Sequence, residues 1–161
     1  MVDPDNRRAV DFATRAHLIN DGLGLEETLV HWRDGRAKAK LTVAALKVRR
    51  AAPELFTVGD YLPLEVEGEK ASHIVAFARI ENKGRVAVVV APRLTLNLLG
   101  NEPADLLPPA AVWGDTFIRL PSHLASMKFA DALGGQIFEP GAMMPVSSLL
   151  AKIPLALVVT Q

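Results

Sequence analysis

The stretch SHIVAFARIENKGRVAVVVA, residues 72–91, decides the fold of this 161-residue chain. Two runs within it, 72–80 and 85–91, are rich in Val, Ile, Phe and Ala, which is the composition of β-strands. The tetrapeptide ENKG, residues 81–84, joins the two runs, and Asn and Gly tolerate the positive φ angles that a tight turn needs. The sequence therefore predicts a β-hairpin in the middle of the chain.

Further strand signals lie on both sides of this hairpin. Runs of similar apolar composition are found at 61–66, 116–120, 127–131, 136–138 and 154–160. The glycine pair at 134–135 predicts a second hairpin turn, whereas residues 100–111 contain three prolines and are expected to form an irregular loop. Short strands with turn signals at near-regular spacing indicate an antiparallel β-sandwich.

The first fifty residues carry a helical pattern instead. Segments 9–20, 25–32 and 37–51 have helical periodicity, glycines separate them, and Pro53 is expected to end the third. The charge balance changes at the same place, since residues 1–50 carry 10 basic and 7 acidic side chains and residues 51–161 carry 8 and 11. The predicted fold class is therefore α+β, with N-terminal helices packed on the antiparallel sandwich.

The composition excludes several classes of function. Lys plus Arg and Asp plus Glu number 18 each, so the formal net charge is +0 at pH 7 and favours neither nucleic acid nor an anionic membrane as a partner. The absence of cysteine excludes disulfides, thiolate metal sites and cysteine nucleophiles, and it fits a cytoplasmic protein. The four histidines, His17, His31, His73 and His123, lack the close spacing of metal ligands, so neither a metal nor a cofactor is predicted. The N-terminal residues do not resemble a secretory signal, and apolar runs such as 153–159 are far too short to cross a bilayer.

The candidates for catalytic chemistry each have a structural explanation. Asp3, Asp5 and Asp11 crowd the start of the first helix, where capping and the helix dipole favour acidic residues in any case. Ser122 and His123 are adjacent, but neighbouring side chains usually diverge, and no Gly-x-Ser-x-Gly motif accompanies them. No catalytic residue is assigned from these patterns.

The candidates for binding sites are equally open to structural interpretations. The motif GLG at 22–24 follows a helical segment and precedes two glutamates, so it is interpreted as a turn between helices and not as a phosphate-binding loop. Seven basic residues lie between positions 33 and 50, and in a chain of zero net charge they indicate a solvated helix face or one covered by another domain. Trp32 and Trp113 are interpreted as packing residues.

Several segments resemble the maltooligosyl trehalose synthase family in their order and spacing. They are VDPDNRR at 2–8, VDF at 10–12, WRDGR at 32–36, PELF at 53–56, GDYLPL at 59–64, Gly68, VAFAR at 75–79, VVVAPR at 88–93, WGDT at 113–116 and LP at 120–121. Each motif is modest by itself, but the combination is fairly specific. The chain resembles the C-terminal part of that family over essentially its whole length.

The resemblance implies an α-amylase superfamily enzyme of glycoside hydrolase family 13. In that superfamily a (β/α)8 barrel carries catalysis and an antiparallel β-domain follows it. The whole enzyme is an intramolecular transferase, an isomerase of trehalose biosynthesis, that converts the reducing-end α-1,4 linkage of a maltooligosaccharide into an α,α-1,1 linkage. Residues 1–56 would then be a remnant of the last barrel helices, and residues 57–161 would be the C-terminal β-domain.

The resemblance carries no catalytic residue over to this chain. The nucleophile and the acid/base carboxylate of such enzymes come from barrel strands, and those strands are absent here. Asp5, Asn6 and Arg7 are expected to contact a glucan only in the complete enzyme. The chain is therefore predicted to be a non-catalytic C-terminal portion, inactive alone, whose partner is the missing barrel or a maltooligosaccharide.

Two other functions stay open at this point. The chain could be a stand-alone α-glucan-binding module that uses Tyr61 and Trp113, near strand ends, as stacking platforms. It could also be a protein-interaction domain that uses the face normally covered by the barrel. Such a face would be apolar and would favour self-association.

Overall fold

The computed structural model of the protein describes residues 9–82, 84–99 and 106–161. Its first part consists of helix α1 (Phe12–Ile19), a 3-10 helix (Glu26–Asp34), helix α2 (Arg36–Ala51) and helix α3 (Pro53–Thr57). The first three coincide with the predicted helical segments. Pro53 follows the end of α2, as predicted, but it also begins α3, because the first turn of a helix needs no N–H donor.

Nine strands lie among the described residues, in the second part of the chain. They are β1 (Asp60–Pro63), β2 (Glu65–Glu67), β3 (Ile74–Ile80), β4 (Val86–Pro92), β5 (Phe117–Arg119), β6 (Phe129–Asp131), β7 (Ile137–Phe138), β8 (Met143–Pro145) and β9 (Ala156–Thr160). Short helices between the strands are two 3-10 turns (Ala71–His73 and Ala110–Trp113), α4 (Thr95–Leu99), α5 (Ser122–Ala125) and α6 (Val146–Leu149). Every predicted strand segment contains a strand, whereas β8, α3 and the short helices between the strands have no predicted counterpart.

The strands form two antiparallel sheets. The larger sheet has six strands in the order β1-β3-β4-β9-β6-β7, and the smaller has three in the order β2-β5-β8. The predicted hairpin is confirmed as β3 and β4, which pair from Ile74 opposite Pro92 to Ile80 opposite Val86. Gly84 adopts a φ angle of 88° in the turn and donates a hydrogen bond of 2.9 Å to the Glu81 carbonyl oxygen.

Strand β4 is covered on both of its faces. Val86, Val88 and Val90 belong to the main core, which also contains residues of the smaller sheet such as Ile118. The alternate residue Ala87 belongs to a second cluster, which contains residues of α3. Because successive side chains of a strand point to opposite faces, this double burial explains why the sequence of β4 is apolar at every position.

The helices form a layer on the outer face of the larger sheet. Ala52 and Leu55 pack with Ala87 and Leu157, and half-buried residues of α2 such as Val48 extend the contact. The predicted fold class, helices packed on an antiparallel β-sandwich, is confirmed. The division into domains at residues 1–56 and 57–161 stays a prediction.

The predicted strand at 61–66 is in fact two strands that belong to different sheets. Strand β1 pairs with β3 in the larger sheet, and β2 pairs with β5 in the smaller one. Leu64 lies between them, is buried in the main core, and donates a backbone hydrogen bond of 3.0 Å to the Ala76 carbonyl oxygen. The chain therefore changes sheet at Leu64, directly after Pro63, a residue that favours the end of a strand.

Leu55 tests whether the helical layer is held by packing on the sheet. Its side chain is 2% exposed, so we expect Leu55→Ala to lower the free energy of unfolding by about 2–5 kcal/mol. Val58→Ala is the matched control, because Val58 is 77% exposed, and it should change stability by less than about 0.5 kcal/mol. Urea unfolding followed by circular dichroism measures both variants, and similar losses from the two would contradict the proposed layer.

Candidate functional site

The residues expected to contact a glucan, Asp5, Asn6 and Arg7, lie outside the described residues, as does Asp3. Asp11, from the same acidic cluster, is the N-cap of α1 and accepts hydrogen bonds from the Thr14 backbone nitrogen at 2.9 Å and Oγ1 at 2.7 Å. These bonds, the side-chain one above all, hold the pKa of Asp11 below its ordinary value. The capping interpretation is therefore confirmed for Asp11.

The surface cavities include four that described residues line, with volumes of about 390, 360, 250 and 230 Å³. The first two have no Asp or Glu side chain in their lining, the third has Glu26 and the fourth has Glu65. Cleavage of a glycosidic bond by this class of chemistry needs two carboxyl groups on either side of the bond. None of these four cavities offers such a pair.

The described part of the chain offers neither a metal site nor a membrane-spanning helix. No three His, Cys, Asp or Glu side chains in it come together in a way that could hold a metal ion. No helix in it has both the length and the apolar character that crossing a membrane requires. Ser122 and His123 are both exposed, at the start of α5.

The second cavity is a groove between α1 and α2, and we call it the α1–α2 groove. Its lining residues are Ile19, Leu23, Leu25, Lys40, Val43, Ala44, Lys47, Val48 and Ala132. Seven of these nine residues are apolar, and the two polar ones are lysines. The groove is thus an apolar depression with cationic groups in its wall.

Helix α1 continues this apolar surface along the face that carries Ile19. Phe12, Ala16 and Ile19 stand at i, i+4 and i+7, which places them on one face of the helix, and Leu23 lies in the segment that follows the helix. All four are exposed, Phe12 at 76%, and α1 has no buried residue. We call these four residues the α1 stripe. Since Ile19 and Leu23 also line the groove, stripe and groove form one continuous surface.

Asp21 fixes the segment that follows α1 onto α2. Its carboxylate accepts hydrogen bonds from Lys40 Nζ, from Arg36 Nη1 at 3.3 Å, and from the Leu23 backbone nitrogen at 3.0 Å. Lys40 Nζ also donates to the Leu23 carbonyl oxygen. The hydrogen bond from Lys40 is the main reason that the pKa of Asp21 lies below its ordinary value. A charged cluster thus shapes one side of the groove.

The predicted turn is found where the sequence placed it, whereas the predicted basic face is solvated only in part, because Arg36 and Lys40 are half-buried and pair with Asp21. Gly22, with a φ angle of 83°, lies between α1 and the 3-10 helix, and the Gly24 nitrogen donates to Glu27, so the 22–24 motif is a turn between helices. Lys38, Lys47 and the arginine pair at 49–50 are exposed on α2, and none of them forms an ion pair within the described residues.

The aromatic residues separate into buried and exposed. Trp113 is 0% exposed, so its interpretation as a packing residue is confirmed and the expectation that it is a glucan-stacking platform is wrong. Trp32 is half-buried and carries the Arg33 guanidinium 4.3 Å from its ring centroid. Tyr61 is 56% exposed on β1 and rests against Phe77 with a centroid distance of 5.0 Å.

A helical layer over a two-sheet antiparallel sandwich, with an uncovered apolar helix face, defines the class of this chain. No protein-family model matches its sequence. Two proteins of Mycobacterium tuberculosis, from strains CDC 1551 and H37Rv, are provisionally named maltooligosyl trehalose synthase, and each is 33% identical over 159 residues. The match covers 99% of this chain and 17% of each relative.

A solved structure gives the same result. A point mutant of maltooligosyltrehalose synthase from Arthrobacter ramosus matches 100% of this chain with 18% of its own, at 32% identity and a TM-score of 0.69. The chain is therefore homologous to a segment of maltooligosyl trehalose synthases, and the resemblance found in the sequence is confirmed.

Sequence reasoning missed the α1 stripe as a surface feature. The signal was present, because Phe12, Ala16 and Ile19 have helical spacing. That spacing, however, indicates only that the residues share a face and that the face is usually buried. Only the structure shows that nothing in the described part of the chain buries it.

Asp21 gives a pH-dependent prediction. A carboxyl group whose pKa is lowered on folding stabilises the folded state above its ordinary pKa of 3.8, and this contribution is lost as the pH falls through the lowered value. We expect Asp21→Asn to be less stable than the unmodified chain at about pH 7, and the difference to shrink below about pH 4. Urea unfolding at several pH values measures it.

Asp60→Asn is the control for this series, because Asp60 is exposed and forms no ion pair within the described residues. It should show little loss at any pH. A stability difference for Asp21→Asn that persists unchanged in acid would show that charge on Asp21 does not hold α1 to α2.

Proposed function

We propose that this chain is a C-terminal, non-catalytic portion of a maltooligosyl trehalose synthase, and that it supports the catalytic part of that enzyme. The observation that carries the proposal is the coverage of the match, 99% of this chain but 17% of the M. tuberculosis relatives. The greater part of each relative lies outside the match, and on this proposal that part carries the chemistry.

The enzyme in question would be an isomerase of glycoside hydrolase family 13 that acts in trehalose biosynthesis. It would convert the terminal α-1,4 linkage of a maltooligosaccharide into an α,α-1,1 linkage. Residues 1–56 would correspond to the helical end of its barrel and residues 57–161 to the β-domain that follows. The partner would be the catalytic barrel, with a cytoplasmic location and no requirement of this chain for a metal or cofactor.

The described cavities support a non-catalytic role. Glu65, the acidic residue of the smallest one, shares its lining with Arg119, and Glu26 shares the third cavity with Lys152. Each of these cavities holds a single carboxyl group, whereas cleavage of a glycosidic bond needs two on either side of the bond. The chain's contribution would thus be structural, through the apolar surface that it presents to the rest of the enzyme.

Activity measurements test this proposal from two sides. The isolated chain incubated with maltohexaose should form no trehalosyl product above a chain-free control. A chimera, in which this chain replaces the matched segment of the M. tuberculosis relative, should regain activity that deletion of the segment abolishes. Product formed by the isolated chain would contradict the non-catalytic assignment, and an inactive chimera would contradict the supporting role.

Exposed aromatic rings favour α-glucan binding as a second candidate function. Tyr61 lies on the edge strand β1, 56% exposed, with its ring tilted 31° against that of Phe77. A ring face of this kind can stack on the apolar face of a pyranose. On this proposal the chain binds maltooligosaccharides directly, with Tyr61 as the contact residue.

Calorimetry with maltohexaose tests the glucan hypothesis. If it is correct, Tyr61→Ala should weaken binding by roughly tenfold, whereas Tyr61→Phe, which keeps the ring, should bind as the unmodified chain does. No heat from the unmodified chain at millimolar maltohexaose would eliminate this function.

A further inference from the structure

We propose that the α1 stripe and the α1–α2 groove together bind the catalytic part of a maltooligosyl trehalose synthase, through an apolar segment that carries an acidic group opposite Lys47. The inference rests on the function proposed above and adds to it the surface that makes the contact and the chemistry of its occupant.

The apolar residues of α1 have the spacing of a buried helix face but are exposed. Phe12 and Ile19 lie on one helix face at the spacing that buried faces have, yet they are 76% and 38% exposed. Val10, just before the helix, is 47% exposed, and Leu23, just after it, is 36% exposed. Scattered exposed apolar residues need no explanation, but a contiguous group of them marks an interaction surface.

Helix α1 gains little stability from packing on the rest of the described chain. It has eight residues and none of them is buried, whereas isolated helices of this length are not stable in water. Its described attachment to α2 includes the polar cluster around Asp21, beside the groove. Covering the stripe would therefore stabilise α1, the least buried of the long helices.

The lining of the α1–α2 groove indicates which kind of segment could bind there. Of the two lysines of the groove, Lys40 is already paired with Asp21, whereas Lys47 forms no ion pair within the described residues. The remaining lining is apolar, with a volume of about 360 Å³, enough for a few large side chains. An apolar segment with one carboxylate fits this surface, because it would cover the stripe and pair with Lys47.

The relatives of this chain have long segments outside the match, and such a segment could cover the stripe. The Arthrobacter ramosus structure keeps this fold as 18% of its chain, with a TM-score of 0.69, so the same architecture exists within a much longer polypeptide. The M. tuberculosis relatives likewise have most of their length outside the match. The catalytic part of the same enzyme is therefore the occupant that the observations favour over a second copy of this chain.

The test compares Phe12→Asp in two contexts, the isolated chain and the chimera with the M. tuberculosis relative. Because Phe12 is exposed in this chain, the substitution should leave the urea midpoint of the isolated chain unchanged. In the chimera it should speed thermal inactivation by about tenfold, since a buried apolar contact would receive a charge. Val58→Asp is the matched control, at 77% exposure and outside the stripe and groove, and should be neutral in both contexts.

A charge reversal tests the acidic contact. Lys47→Glu should speed inactivation of the chimera and leave the isolated chain unchanged, whereas Lys38→Glu, on an exposed position away from the groove, should do neither. An effect of Lys38→Glu equal to that of Lys47→Glu would overturn the acidic contact.

The results for Phe12→Asp distinguish the proposed contact from a failure of the proposed function and from self-association. Phe12→Asp that is neutral in both contexts, or equally destabilising in both, would overturn the inference while an active unmodified chimera upheld the proposed function. An inactive, unfolded chimera with the unmodified chain would overturn both. Sedimentation of the isolated chain as a dimer that Phe12→Asp dissociates, with no effect in the chimera, would identify a second copy as the occupant instead.

Discussion

The burial of strand β4 on both faces is the constraint on which the rest of the structure depends. Its even-numbered valines face the core shared with the smaller sheet, and Ala87 faces the helices at 0% exposure. A larger side chain than alanine at position 87 would move α3 away from the sheet. The small side chain at this position therefore lets the helical layer approach the sheet closely, and the α1–α2 groove is built on that layer.

Polar contacts from the turn end of the β3–β4 hairpin hold the helices against the larger sheet. Arg79 donates to the carbonyl oxygens of Leu55 and Phe56 at 3.4 and 3.3 Å, and Arg85 donates to the Ala51 carbonyl oxygen at 3.4 Å. Arg85 is itself held by Glu81 through bonds of 2.6 and 3.2 Å. Basic side chains at the last carbonyls of α2 and α3 satisfy acceptors that the helices leave open, so the hairpin both supports the helices and caps them.

Much of this architecture could be predicted from the sequence, and the reasons for the failures are physical. The hairpin, the Asp11 cap and the 22–24 turn depend on local properties, namely strand composition, capping and glycine conformation, and all three were found. The change of sheet at Leu64 depends on which strand each neighbour pairs with, and strand composition does not specify partners. The exposure of Phe12 depends on which surfaces of the chain pack together, so helical spacing alone indicated a shared face and not an uncovered one.

The central claim is that this chain is a segment of a larger enzyme whose α1 surface is covered there and open here. Hydrogen–deuterium exchange of the α1 amides, compared between the isolated chain and the chimera, tests it most directly. The account predicts exchange that is fast in the isolated chain and strongly slowed in the chimera, with β3 and β4 protected in both. Equal exchange of α1 in the two contexts would contradict the claim, because it would mean that the rest of the enzyme leaves this surface uncovered.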